Sequence, residues 1–174
     1  NGETDTTENS SKWNDIDPTV WVETVDGVEK RYISWGNSEL YVAELGEDMT
    51  SIVPGTIKHQ TIKNAPGAFT EAPWIYRRTD DNGNYTGPYY LFYAMGWREQ
   101  MAYATTDDLS SGEWEYGGLL MPPTATSNTN HPSVIDFNGK TYFIYHNGSL
   151  PYGSGYRRSV CVTELVFNDD GNIQ

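Results

Sequence analysis

Three ionisable side chains stand just ahead of a proline: Asp17 in IDP, Glu71 in EAP and His131 in HPS. Two carboxylates and an imidazole are the groups from which acid–base chemistry is built, and carboxylates crowded into one cavity push their proton affinities apart. Singly, each residue has a plainer use. An Asp before Pro forms turns, and a Glu at a strand start is often solvated. The chemistry needs all three in one place, so the question is what could gather residues spaced 54 and 60 positions apart.

A structural repeat would do so. DPTVWVETVDG from Asp17, EAPWIYRRTDDNG from Glu71 and HPSVIDFNG from His131 share one order. An ionisable residue is followed by Pro, a short Val/Ile/Trp-rich strand and a turn signal. Those signals are Asp26-Gly27, Asn82-Gly83 and Asn138-Gly139, all strong hairpin dipeptides. Each leads to an aromatic second strand (30–37, 88–96, 140–148) and then a third (39–49, 99–109, 159–171). The first two units add a weaker fourth strand near 55–63 and 114–121. Antiparallel strands repeated at this period predict an all-β fold of β-propeller blades, near 14–63, 71–121 and 131–174. In a blade the first strand lies nearest the central axis and its starting residue faces the funnel. Asp17, Glu71 and His131 are therefore expected to converge. About three blades do not close a ring, because propellers carry roughly 4–8 and an open stack leaves edges unpaired. The expectation is a portion of a larger propeller, with further blades supplied from outside these residues.

Composition agrees with strands. There are 13 Tyr, 6 Trp and 5 Phe against eight Leu and eight Ala, with 17 Gly and 9 Pro as punctuation. Leu and Ala favour helices, and aromatics favour strands. A net charge of −13 disfavours nucleic acid and anionic membranes as partners. Cys161 stands alone, so no internal disulfide forms, and no apolar run approaches the roughly 18 residues of a membrane span. Residues 1–13 are polar and end on Trp13, which reads as a loop or frayed start. HExxH, paired Cys and EF-hand patterns are missing, so a tight protein-only metal cage is not expected. GSGYRR at 153–158 precedes a strand rather than a helix and is not read as a phosphate loop. The Asn9, Asn84 and Asn147 triplets are what a chain rich in Asn, Ser and Thr yields by chance. His59 and His146 read as structural, and Trp74 as packing between blades.

Taken in order, DIDPTVWVE, TEAPWIYRR, YYLFYAMGW, NHPSVIDFNGKTYFIYH and YRRSVCVTELVFNDDGNI resemble glycoside hydrolase family 43 over residues 14–174. The resemblance implies a five-bladed propeller of inverting glycosidases acting on arabinose and xylose linkages of plant cell-wall polysaccharides. It implies that Glu71 is the general acid and Asp17 the residue that sets the acid's pKa and orientation. It further implies that His131 is an axial histidine holding water or a water-coordinated Ca²⁺, and that Arg158 reaches the substrate. Trp97 is a candidate sugar platform. No cofactor is required, and a structural Ca²⁺ near the propeller axis is compatible with the resemblance. No position matches the general base, so the first two blades are expected to lie outside this chain. A secreted or periplasmic location is expected over a cytoplasmic one. Two other readings stay open. A retaining fructan- or sucrose-type propeller hydrolase would carry Cys where Ala72 stands and Arg where Ile16 stands. A non-catalytic carbohydrate-binding propeller fragment would account for the missing base.

Overall fold

Short β-branched and aromatic runs separated by Gly, Pro, Asn and Asp leave the backbone one economical solution, antiparallel meanders. The computed structural model describes residues 15–126 and 128–174. The polar opening 1–13, with Asn9 and Trp13, lies outside the described residues. The first meander runs β1 (Thr19–Val25), β2 (Val28–Trp35), β3 (Leu40–Glu44) and β4 (Lys58–Lys63). The second runs β5 (Phe69–Thr79), β6 (Tyr85–Met95), β7 (Gln100–Thr106) and β8 (Glu113–Met121). A third has β9 (Ser133–Phe137), β10 (Lys140–Asn147) and β11 (Ser159–Leu165). Among the described residues no helix is long and apolar enough to cross a membrane.

Two of the three hairpin signals fold as expected. Asp26-Gly27 and Asn138-Gly139 both take positive φ at both positions and close Val25 on Val28 and Phe137 on Lys140. The middle unit differs. Thr79 pairs with Tyr85, so the loop spans 80–84, and Asp80 organises it. Its Oδ1 accepts the backbone N–H groups of Asn82 at 2.9 Å and Asn84 at 2.8 Å. A local Asx turn thus takes the place of a two-residue Asn-Gly turn.

The first two meanders are not separate sheets. They form one eight-stranded sheet in the order β1-β2-β3-β4-β8-β7-β6-β5. The join is a parallel pairing of the outer strands, Thr61 with Glu113 through Lys63 with Glu115. Lys63 Nζ on Glu113 Oε2 at 2.8 Å and Asn64 Nδ2 on Glu115 Oε1 at 2.6 Å secure it. The third meander is a sheet of its own, β11-β10-β9.

The core lies on both faces of the middle unit. Along β6, Leu91, Tyr93 and Met95 pack with Leu40, Val42 and Trp114 toward the first meander. The alternate residues Tyr90, Phe92 and Ala94 pack with Val134, Phe143 and Leu165 toward the third. A strand covered on both faces loses its alternation and reads as one apolar run, as YYLFYAM does. The outer faces are different. Val20 and Val22 on the first meander, and Ile135, Phe137, Val160 and Val162 on the third, remain exposed.

Candidate active site

Strands β1, β5 and β9 lie side by side, and side chains tie the start of β5 to both neighbours. Thr19 Oγ1 donates to Pro73 O at 2.8 Å, and Trp74 Nε1 donates to Val134 O at 3.1 Å. Glu71 falls between two register shifts in β5, and Ala72 after it is fully buried with φ 60°. A left-handed backbone costs a non-glycine residue about 1–2 kcal/mol and persists where its surroundings fix it. Asp17 is what fixes it: its Oδ2 accepts the Ala72 N–H at 3.1 Å. The residue 54 positions upstream thus sets the backbone that carries Glu71.

Glu71 is held at its tip as well. Asn37 Nδ2 donates to Glu71 Oε2 at 2.9 Å. Asn37 reaches it from the tight turn after β2, where Gly36 has φ 144° and a Cβ would fall 1.8 Å from Glu39 O. Only glycine fits there.

His131, just before β9, brings Nδ1 to 3.9 Å from the same Asp17 Oδ2. Arg158, just before β11, donates from Nη1 to Thr129 Oγ1 at 3.2 Å and lies 3.3 Å from His146 Nε2. Burial first, then the charges of Arg158 and His131, hold His146 below the usual imidazole range. Asp17, Glu71 and His131 therefore meet at one end of the three inner strands, and Arg158 adjoins them through His146. Trp97 stands on the β6–β7 turn, two residues before Glu99, and is 80% exposed.

Three members of the cluster were not anticipated as functional. His146, read as structural, sits beside Arg158. Asn37 follows the second strand of its unit, as Trp97 follows that of the next, so the repeat that aligned the first strands would also have aligned these. Glu99 is the most informative. It is 2% exposed, with Oε2 accepting Asn130 N–H at 2.5 Å, and the carboxyl of Glu71 lies within hydrogen-bonding reach. Burial, and then the neighbouring Glu71 and Asp17, raise its pKa to about 7. A signal existed, since GNSE at 36–39 and GWRE at 96–99 repeat Gly-x-x-Glu 60 positions apart. It does not decide direction, because Glu39 turns outward to His59 Nε2 at 2.5 Å while Glu99 turns inward.

Among the described residues no three His, Cys, Asp or Glu side chains gather so as to hold a metal ion. His131 offers nitrogen where Ca²⁺ takes oxygen. The protein groups here do not make a calcium cage, and an ion at His131 would draw most of its shell from water.

The model of glycosyl hydrolases family 43 matches residues 3–173. The chain belongs to this family. A xylosidase/arabinosidase of Bacteroides ovatus is 30% identical over 141 residues, which is 76% of this family 43 chain and 41% of that relative. Among solved structures, a beta-xylosidase/alpha-arabinofuranosidase from a compost microbial metagenome, in complex with xylotriose, superposes with a TM-score of 0.76 at 28% identity. That match covers 92% of this chain and 57% of the other. An exo-1,5-alpha-L-arabinanase from a bovine ruminal metagenomic library shares the fold at TM-score 0.69 and 17% identity, over 95% of this chain and 58% of the other. The fold is the all-β propeller of these family 43 structures, and the chain spans between about two fifths and three fifths of the length of these proteins.

Proposed function

We propose that this chain carries the acid half of a pentoside hydrolase active site. The observation that supports it is the contact of Asp17 with the Ala72 amide, which couples two carboxyls of different units and aims Glu71. Glu71 is the general acid, passing its proton to the glycosidic oxygen as the bond to the anomeric carbon breaks. Asp17 is the pKa modulator and backbone anchor. The general base lies on a blade outside these residues and activates a water on the opposite sugar face. An inverting displacement needs that base roughly 6.5–9.5 Å from the acid. His131, Arg158 and Trp97 face the sugar, and the chemistry needs no cofactor. Calcium at His131 would be a water-coordinated structural ion. The apolar faces of the first and third meanders suit further blades of the same enzyme. The substrate class, xylose- or arabinose-containing cell-wall polysaccharide and its oligosaccharides, is carried over from the named activities of the relatives. A polymer of that kind is met outside the cytoplasm.

The test is Glu71→Gln in the full-length gene product. Hydrolysis of xylo-oligosaccharides, whose leaving groups need a proton, is expected to fall by about 10²–10⁴-fold. Aryl pentosides with acidic leaving groups are expected to keep most of their rate. Equal loss on both substrates, or no loss on either, would remove the acid from Glu71. A protein that binds these sugars and cleaves none would be a binding module instead.

A further inference from the structure

Glu99 is a buried carboxyl that the mechanism above does not use, and its surroundings do not suit an ion. Its side chain lies among Glu71 of β5, Asp17 before β1 and Asn130 before β9. Two of those three are carboxyls and the third is neutral. Among the described residues Glu99 has no ion-pair partner, and the guanidinium of the adjacent Arg98 is turned to Thr124 O at 2.7 Å. Among the described residues the one charge-stabilising hydrogen bond to its carboxyl is from the Asn130 N–H. An ionised carboxylate in such a place costs several kcal/mol unless it is paired or takes up a proton.

The backbone holds it there regardless. Asn130 Nδ2 donates to Glu99 O at 2.6 Å, and Glu99 N donates to Asn128 O at 3.3 Å. With the Oε2 contact, three hydrogen bonds clamp the β6–β7 turn to the segment leading into His131. The clamp fixes the turn that carries Glu99, and swinging the side chain out to water breaks its bond to the Asn130 N–H. Two carboxyls within reach of one another, with one largely cut off from solvent, relieve the conflict by sharing a proton.

We propose that Glu99 and Glu71 hold one proton between them, with Glu99 the positioning residue that keeps Glu71 charged with the proton it donates. This rests on Glu71 being the acid. In turnover Glu71 gives the proton to the leaving oxygen, and the attacking water loses one to the base. The base then releases its proton to solvent and the pair, briefly doubly ionised, takes one back, so no net proton is consumed. The pair should release its last proton at higher pH than a single carboxyl in the same place.

The experiment is an infrared titration of the full-length protein beside pH profiles of kcat/KM, for wild type, Glu99→Gln and Glu71→Gln. In wild type a carboxylic-acid C=O band is expected to bleach near neutrality. In Glu99→Gln that band should be lost from neutrality. The basic limb of kcat/KM on xylobiose should move to lower pH in that variant, in step with the band. An aryl pentoside with an acidic leaving group should show no such shift. Should Glu99→Gln fail to fold, Glu71→Gln decides: removing its charge should move the Glu99 band to lower pH. A neutral-pH band that survives Glu99→Gln overturns the proposal. So does a basic limb that stays in place while both substrates slow equally, which would leave Glu99 a structural clamp. Wild type inactive on every pentoside would sink the hydrolase reading, and the infrared titration would still decide the shared proton.

Discussion

The carboxylate of Asp17 does two things that substitution can separate. It accepts a hydrogen bond from a fully buried amide, and it places negative charge beside His131 and near Glu99. Asp17→Ala leaves the Ala72 N–H unpaired in the interior and should cost about 1–3 kcal/mol in urea unfolding. Asp17→Asn offers a neutral oxygen for the same bond, so stability should stay within about 1 kcal/mol of wild type. Turnover of xylo-oligosaccharides should fall in both variants. If Asp17→Asn turns over like wild type, the residue serves only as a backbone anchor.

Turns and strand ends decide which side chains reach the site. Gly36 is the sharpest case, because a methyl group there would collide with the carbonyl of Glu39. Gly36→Ala should lower stability by more than about 2 kcal/mol and release Asn37 from Glu71, read by urea melts together with the activity ratio on the two substrate types. The first strands were legible because Pro, β-branched residues and Asp-Gly or Asn-Gly turns repeat in fixed order, and from them Asp17, Glu71 and His131 followed. What was not legible has physical causes. The Asn82-Gly83 signal lost to the side chain of Asp80, which binds two amides of its own loop. The parallel pairing of β4 with β8 joins weakly patterned strands of different units, and no local propensity encodes it. Glu99 and Glu39 share a motif and part company only because Asn130 lies beside one and His59 beside the other. Direction of that kind is set by tertiary neighbours, which a repeat cannot report.

At the scale of the molecule, three inner strands converge on the site while the two outermost apolar faces stay uncovered. Burying such faces on further blades would stabilise the whole by about 25 cal/mol for each Å² removed from water. The division into two sheets has a consequence of its own. Backbone pairing runs unbroken from β1 round to β5, whereas β9–β11 is held to β5 by side chains such as Trp74 and Tyr76 and by apolar packing. The molecule therefore has a seam, and it passes between Glu71 on one side and His131 with Arg158 on the other. Amide hydrogens of β9–β11 should exchange with deuterium together and ahead of those in β6 and β7, and uniform protection across both sheets would refute this. A cleft that straddles such a seam can widen without unfolding the strand that carries Glu71.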